Sequence, residues 1–481
     1  MRKRAAPAAR HPSRKAGTTR CAACARARCR QASHATSCTT PASRRPRRRP
    51  PKTAAKPSVP AANDTPWYRR LGPGFITGAA DDDPSGIATY AQAGAQVGTS
   101  MLWTLLLTLP LMISIQLVSA RLGRVSGQGV VANIRRHHSP WLAYAFVALV
   151  TVANVINVGA DIAAMGNSVR LLVGGATAWY ACFFAVLTLV LQIWMPYRRY
   201  ARYLQWIALS LLAYVATAFV VQVDWARALH DTVVPRMRWS KDYAMTLIAV
   251  FGTTISPYLF VWQAAGEVEE TRLAEDEAPL KKAPWQAKDQ LARIRIDTTV
   301  GMAVSALIAF CIMLTAAYAL HTHGVTQIET CAQAAEALKP VAGRFAQMLF
   351  AVGVIGTGLL AVPVLAGSAA YAAAEAFKWH SSLEAKVHHA PKFYLFLALV
   401  MVAAMVMVFL PIEPFKLLYW AAVLNGVAAT PVMVMLQLMS RRKVVMGPFC
   451  SSRLLHGTAW VATLCMCAST LLFFVLAVRG A

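Results

Sequence analysis

Long apolar stretches, separated by short polar and basic segments, follow one another from Leu71 to the end of the chain. Each is about 20 residues long or longer, the length that a helix needs to cross the hydrocarbon core of a bilayer. The period-two alternation typical of strands is missing. The pattern predicts an all-α, polytopic membrane protein with about eleven spans. Their predicted limits are 72–97, 101–120, 140–168, 177–195, 200–222, 244–268, 297–319, 343–376, 392–411, 414–438 and 454–478.

Two of these spans are interrupted by a proline among small and polar residues. The first contains Gly-Ala-Ala-Asp-Asp-Asp-Pro-Ser-Gly over 78–86, and the sixth contains Gly-Thr-Thr-Ile-Ser-Pro-Tyr over 252–258. Proline removes a backbone donor and clashes with the preceding turn, so each helix breaks and frees carbonyl groups. Breaks in matching positions of two halves indicate the substrate site of a secondary transporter.

The positions of the breaks also predict the domain organisation. Spans one and six each begin a group of five, which is typical of an inverted repeat. We expect one repeat over about 72–222, a second over about 244–438, and an extra span over about 454–478, all within a transmembrane domain covering 66–481.

The composition is typical of a membrane protein, and an excess of basic residues marks the N-terminal tail. The 481 residues are 57% hydrophobic and 14% charged, and the formal net charge is +27. Residues 1–60 hold 17 of the 48 Lys and Arg but none of the 21 acids. The tail is therefore predicted to be disordered, with contact to anionic lipid rather than to nucleic acid. A transit peptide or a start codon placed too early remain alternatives.

Basic residues in alternate loops predict the orientation. With a cytoplasmic N-terminus, the inside loops hold most of the Lys and Arg outside the tail, as the positive-inside rule requires. We therefore expect a multi-pass protein of the inner (cell) membrane with its N-terminus in the cytoplasm. Of the ten Cys, four lie in the tail, and none of the spacings indicates a zinc site or a disulfide framework.

The carboxylates of the first break are the main candidates for cation binding. Asp83 adds a negative charge beside freed carbonyls, and hard divalent cations prefer such oxygens. Asp81 and Asp82 are weaker candidates that would line the aqueous approach. In the sixth span, Thr253 and Ser256 offer a carbonyl or hydroxyl oxygen, and the unwound backbone at Gly86 is expected to complete the site. The alternatives are a solvated helix end before Pro84 and an ordinary proline kink in the sixth span.

Three segments resemble the NRAMP family of divalent-metal transporters over roughly 68–440. They are Leu-Gly-Pro-Gly-Phe-Ile-Thr-Gly from Leu71 with Asp-Pro-Ser-Gly from Asp83, then Ser-Ala-Arg-Leu-Gly-Arg-Val-Ser-Gly over 119–127, and Gly-Ala-Asp-Ile-Ala over 159–163. The resemblance implies a LeuT-like fold, alternating access and uptake of a metal ion into the cytoplasm. The metal is then a substrate, no cofactor is expected, and the protein is not an enzyme.

The departures from the family pattern change the expected selectivity. The family has Met-Pro-His in its sixth span, whereas this chain has Ser256, Pro257 and Tyr258. The lost thioether is a soft ligand that favours transition metals. Gly86 stands where the family has a ligating Asn, so the ion would keep more water. We expect an all-oxygen site that takes Mg²⁺ or Mn²⁺, with Al³⁺ as a further possibility. The resemblance also places Asn425 near the ion.

Proton coupling is expected to be weak or absent, although protons remain candidate coupling ions. Asp161 matches the acid of the family's third span, but Ala164 replaces a second acid and Tyr258 replaces the histidine. Asp161, Tyr258 and Glu267 remain candidates for a proton or ion pathway. The alternatives are a buried Asp161 hydrogen-bonded to Asn157, and a Glu267 that belongs to a solvated helix end.

Three other functions stay open from the sequence. An amino-acid or amine symporter of the same fold is disfavoured, because the carboxylate at the first break would repel a substrate carboxylate. A non-transporting membrane metal sensor would need a folded signalling domain, which the sequence does not indicate. An intramembrane aspartyl enzyme would need a second facing acid, which the sixth span lacks. The expected partners are the metal ion and the lipid bilayer.

Overall fold

The structure, a computed structural model, describes residues 72–195, 211–237, 240–383 and 387–478. Within these ranges all regular structure is helical and no strand is present, so the predicted all-α class is confirmed. The basic tail 1–60, and most of the first half of the predicted fifth span, lie outside the described residues.

The first part of the chain contains both halves of the first broken span. Its helices are α1 (Pro73–Asp81), α2 (Pro84–Val97), α3 (Leu102–Ser126), α4 (Val130–His137), α5 (Pro140–Val173), α6 (Thr177–Trp194), α7 (Leu212–Val220) and α8 (Trp225–Val233).

The second part begins with the two halves of the sixth span. Its helices are α9 (Lys241–Thr254), α10 (Pro257–Leu273), α11 (Ala287–Ala319), α12 (Cys331–Glu336), α13 (Lys339–Ala342), α14 (Ala346–Phe377), α15 (Pro391–Met407), α16 (Pro414–Ser440), α17 (Lys443–Met446) and α18 (Arg453–Val478).

Eight helical stretches of the described chain are long and apolar enough to cross a membrane. One of them, Pro84–Ser126, joins α2 to α3 through the short 3₁₀ turn Gly98–Met101 and so contains parts of two predicted spans. Helix α15 is apolar but has only 17 residues. The multi-pass membrane architecture predicted from the apolar stretches is therefore confirmed.

Both broken spans pack closely against neighbouring helices at glycine residues, where no side chain separates the two backbones. A Cβ atom placed on Gly78 of α1 would lie 2.3 Å from the carbonyl carbon of Gly301 in α11. One placed on Gly252 of α9 would lie 2.1 Å from the carbonyl oxygen of Ala422 in α16. Small residues at such crossings let membrane helices approach closely, which fixes the position of each half-helix.

The segment 119–127 fastens α3 to α10. The Ser119 hydroxyl donates to the Phe260 carbonyl at 2.5 Å, and a Cβ on Gly123 would clash with Ala264. Arg124 is fully buried, and its guanidinium donates to the Thr271 hydroxyl at 2.7 Å. The small and polar residues of this segment therefore hold the second half of the sixth span in place.

Candidate functional site

Each break in the two discontinuous spans is only two residues long. Asp82 and Asp83 separate α1 from α2, and residues 255–256 separate α9 from α10. A proline occupies the first position of each following helix, where its missing N–H costs nothing and its fixed φ suits the helix. The preceding helix cannot continue through that proline, so the sequence itself sets both breaks.

Asp83 caps the helix that follows it. One carboxylate oxygen, Oδ1, accepts the Gly86 N–H and the Ser85 hydroxyl, each at 2.7 Å. The other oxygen, Oδ2, lies 3.3 Å from the Asn157 amide nitrogen of α5 and 3.2 Å from the Tyr258 hydroxyl of α10. The carboxylate thus connects both broken spans with α5.

The described residues around Asp83 supply no balancing positive charge. The residue is 2% exposed, and all four of its hydrogen-bonding partners are neutral. Among the described residues, no Lys or Arg forms an ion pair with it. A buried carboxylate without a cationic partner is costly, and it is the arrangement that a cation would stabilise.

Oxygen atoms from both broken spans converge beside Gly86. A Cβ atom on this glycine would lie 3.3 Å from the Asp81 carbonyl oxygen. It would lie 3.5 Å from Asp83 Oδ1 and equally far from the Thr253 hydroxyl. Gly86 therefore leaves open a small space that faces three oxygens. The expectation of an unwound backbone at Gly86 is wrong, because Asp83 caps α2 and the helix restarts at Pro84.

Ser256 sits at the second break, directly before α10. Its hydroxyl points at the carbonyl oxygens of Gly252 and Thr253, at 3.0 and 2.9 Å. The hydroxyl proton of Ser256 is donated to these backbone carbonyls, so the hydroxyl oxygen can bind a cation only through its lone pairs. The Thr253 carbonyl keeps one acceptor position, since a carbonyl oxygen has two lone pairs.

Asp81 and Asp82 are buried beside the first break. They are 2% and 4% exposed, and the Ser305 hydroxyl of α11 lies 2.7 Å from an oxygen of Asp81 and 3.1 Å from one of Asp82. The alternative of a solvated helix end is therefore wrong, although Pro84 does start the next helix. Both acids lie within the packed helices rather than at an open approach.

The described residues contain no group of three or more His, Cys, Asp or Glu side chains placed to hold a metal. The oxygens that face the space beside Gly86 are instead the Asp83 carboxylate, the Thr253 hydroxyl and the Asp81 carbonyl. Such a set suits a hard cation that keeps part of its water shell, rather than a fully protein-ligated transition metal.

Comparison with known proteins decides the family. The family described as "Natural resistance-associated macrophage protein-like" (Nramp) matches residues 74–476. The chain belongs to the Nramp family. It is 27% identical to the divalent metal cation transporter MntH of Deinococcus radiodurans over 403 residues, covering 81% of this chain and 86% of that protein. It is 25% identical to MntH of Klebsiella pneumoniae strain 342, covering 81% of this chain and 90% of that one.

Solved structures share the fold. The manganese transporter of Eremococcus coleocola, in complex with an aromatic bis-isothiourea substituted compound, superposes with a TM-score of 0.69 at 15% identity, covering 85% of this chain and 86% of that one. Mhp1, a nucleobase-cation-symport-1 family transporter, gives a TM-score of 0.52 at 13% identity, covering 85% and 93%. The predicted LeuT-like architecture with broken helices is confirmed by these likenesses.

Asp161, on the segment that resembles the third Nramp span, is fully buried and near the site. Neither of its carboxylate oxygens accepts a hydrogen bond from a described residue, although the Ser85 amide approaches it. The alternative in which Asn157 satisfies Asp161 is wrong, because the Asn157 amide donates to Asp83 instead. Asp161 is therefore a further buried acid near the break that has no cationic partner among the described residues.

Glu267 has a different environment from the one expected. It is fully buried on α10, and Arg293 of α11 donates to it at 2.6 Å. It is neither a free acid at an open mouth nor part of a solvated helix end. The physical reason is that a buried carboxylate in a packed helix bundle needs a cationic partner, and α11 supplies one.

Sequence reasoning missed the contribution of α11. Asp297 accepts backbone N–H groups of α1, and Ser305 contacts the acids of the first break. A signal was present for Asp297, since an acid at the start of an apolar span indicates a polar contact by default. Asn425, which the resemblance placed near the ion, is buried, and neither its amide oxygen nor its amide nitrogen has a partner among the described residues.

Proposed function

We propose that this protein is a secondary transporter that moves a divalent cation into the cytoplasm by alternating access. The observation that carries the proposal is the Asp83 carboxylate, buried between two broken helices with only neutral partners. The names of its relatives, divalent metal cation transporters, support the substrate class. The cation would take Asp83 as its main ligand, and oxygens of Thr253 and Ser256 would complete the protein's share.

The donor set favours Mg²⁺ or Mn²⁺. Residue 256 is a serine, so the second break offers oxygen and no thioether sulfur. Oxygen ligands do not favour transition metals over Mg²⁺ in the way that sulfur does. The open space beside Gly86 would accommodate a water molecule of the ion's hydration shell, which Mg²⁺ gives up reluctantly.

Proton coupling is proposed to be weak. The neutral hydroxyl of Tyr258 occupies the contact with Asp83, and Glu267 is engaged by Arg293. Asp161 is the remaining candidate for a proton pathway. The proposal retains the cytoplasmic N-terminus from the loop charges, and the two repeats over about 72–222 and 244–438.

Uptake into proteoliposomes tests the proposal. Purified protein is reconstituted, and the entry of Mg²⁺ and of Mn²⁺ is measured for the wild type and for Asp83→Asn. The matched control is Asp289→Asn, which removes an exposed acid of α11. We expect uptake of both ions by the wild type and the control, and none by Asp83→Asn.

Other outcomes have separate meanings. Uptake of Mn²⁺ alone would reject the all-oxygen selectivity but keep the carrier. Uptake stimulated by an inward proton gradient and lost in Asp161→Asn would reject weak coupling. No flux of either ion by a folded wild type would reject transport of divalent cations, and it would favour a sensor or an organic substrate.

A further inference from the structure

A basic groove lies at the ends of two candidate membrane-spanning helices. The groove has a volume of about 520 Å³. Its lining comprises Gln128, Ala132, Arg135, Arg136, Pro140, Tyr144 and Lys378. Three of these residues are cationic and none is acidic. We call this surface the basic groove.

The level of the basic groove relative to the membrane follows from the helices that form it. Pro140 and Tyr144 belong to the first turns of α5, a candidate membrane span, and Lys378 directly follows the last residue of α14, another candidate span. A point that lies at the end of one span and the start of another is at the level where hydrocarbon gives way to headgroups. The loop charges predict that this end of the spans lies on the cytoplasmic side.

Exposed aromatic rings surround the groove at the same level. Trp141 is 79% exposed, and Tyr144 stacks on Phe377 with ring centroids 5.4 Å apart. Phe377 stacks in turn on Trp379 at 5.0 Å. Aromatic side chains of this kind are enriched where a membrane protein meets the lipid headgroups. The groove is therefore bordered by the residues that contact the interface.

Two of the three cationic residues have distinctive local structure. The Arg135 guanidinium donates to the Ala376 carbonyl at 2.7 Å, at the end of α14. Lys378 has a φ of 58°, and within the described residues it is the one non-glycine with a positive φ. Glycine adopts this conformation most readily, so Lys378→Gly can remove this cation without straining the backbone.

The acids nearest to the groove are already engaged. Glu375 accepts the N–H groups of Val131 and Ala132, each at 3.0 Å, and so caps the start of α4. Glu269 accepts hydrogen bonds from the Tyr371 and Ser382 hydroxyls. These carboxylates are used by the fold, whereas the groove itself presents only positive charge.

The pKa values of the two histidines that follow Arg136 are also affected by nearby positive charges. Burial and the charges of Arg136, Lys281 and Arg442 lower the pKa of His137. Burial and the charge of Arg442 also lower the pKa of His138. The histidines therefore add less positive charge than free imidazoles would, and the positive potential near the groove comes mainly from arginine and lysine.

We propose that the basic groove binds the headgroup of one anionic phospholipid on the cytoplasmic side. Arg135, Arg136 and Lys378 would contact the phosphate, and the acyl chains would lie along α5 beside the exposed aromatic rings. Basic pockets between spans on the cytoplasmic face are suited to anionic headgroups, and each nearby cation contributes about 1 kcal/mol of attraction. This inference does not depend on the transported ion.

Native mass spectrometry of the purified full-length chain tests the proposal. The probes are phosphatidylglycerol and phosphatidylcholine with identical acyl chains, and glycerol 3-phosphate as a soluble competitor. We expect one bound phosphatidylglycerol per chain and weaker binding of phosphatidylcholine. Lys378→Gly and Arg136→Gln should each weaken phosphatidylglycerol about fivefold, because each removes one cation.

The variants separate charge from folding. Lys378→Gly suits the positive φ, so it should leave the thermal stability equal or higher while it weakens lipid binding. Lys378→Arg should retain the binding. Arg344→Gln, an exposed cation that follows the short helix α13, is the matched control and should have no effect.

Three results would overturn the proposal. One is equal binding of the two lipids, which would mean that the rings alone hold the acyl chains. Another is displacement of the lipid by equimolar glycerol 3-phosphate, which would indicate a site for small soluble anions. The third is an equal loss of binding in Arg344→Gln, which would indicate a general effect of net charge.

Discussion

Asp297 fastens the first half of the first broken span to α11. Its carboxylate accepts the backbone N–H groups of Gly72, Gly74 and Phe75 at 2.9, 2.7 and 2.9 Å. These groups lie at the start of α1, where helical N–H groups have no partner within the helix. Asp297→Ala removes this acceptor while it leaves Arg293 paired with Glu267.

The cost of this change can be worked from the contacts. A hydrogen bond to a charged group contributes about 1.5–3 kcal/mol, and loss of a helix cap typically costs about 1 kcal/mol. The three bonds share one carboxylate, and the N–H group of the half-buried Gly72 can take water instead. We therefore expect α1 to lose roughly 2–4 kcal/mol of local stability, which corresponds to a 30- to 700-fold increase in its open population.

Hydrogen–deuterium exchange of peptides that cover 72–82 measures that population directly, because backbone exchange requires local opening. Exchange in Asp297→Ala should rise within the stated range, while peptides from α5 stay unchanged. Asp289→Asn, an exposed acid of the same helix, is the control and should exchange like the wild type. Unchanged exchange over 72–82 would show that α11 does not hold α1, and a uniform rise throughout the chain would indicate global destabilisation instead.

Three further predictions follow from the packing and charges. Gly86→Ala should lower the affinity for the transported cation about tenfold in a binding titration, because the new methyl group fills the space between three oxygens. The control is Gly457→Ala, which should leave the affinity unchanged because no atom lies within 4 Å of the new Cβ. Gly252→Ala should lower the thermal midpoint by several degrees, since the Cβ would lie 2.1 Å from the Ala422 carbonyl oxygen and overpacking costs about 1–3 kcal/mol. Burial raises the pKa of Asp231, but hydrogen bonds and two nearby arginines outweigh it and the pKa falls below its usual value. A lowered pKa in the folded state stabilises the protein above the unfolded value of about 3.9, so Asp231→Asn should reduce the midpoint at pH 7 and the difference should shrink below about pH 4.

The two breaks could be predicted because their signals are local, whereas the role of Asp83 as the main ligand stays a prediction. A proline within an apolar run ends one helix and starts the next within a few residues, and the structure restarts both helices at the prolines that the sequence indicates. The extent of unwinding could not be predicted in the same way. Asp83 caps α2 so completely that Gly86 remains helical, and this depends on side-chain geometry rather than on residue type.

The partners of the acids could not be predicted because they are distant in sequence. Ser305 is 224 positions from Asp81, and Asp297 is 223 positions from Gly74. No periodicity within one span shows which face of α11 meets α1. The pairing of Glu267 with Arg293 is a case of the same kind, in which two charges on different helices look like solvated ends until the helices are packed together.

Four buried acids of this protein form two pairs that differ in their charge balance, and the difference indicates what each group does. Glu267 and Asp297 lie near one arginine, whose guanidinium is 2.6 and 4.0 Å from them, so their charge is balanced within the fold. Asp83 and Asp161 are equally buried, yet among the described residues neither has a cationic partner. Burying an unbalanced charge costs several kcal/mol, which a purely structural position would not retain when a neutral residue could replace it. The first group therefore stabilises the helix packing, and the second is where a mobile cation would supply the missing charge.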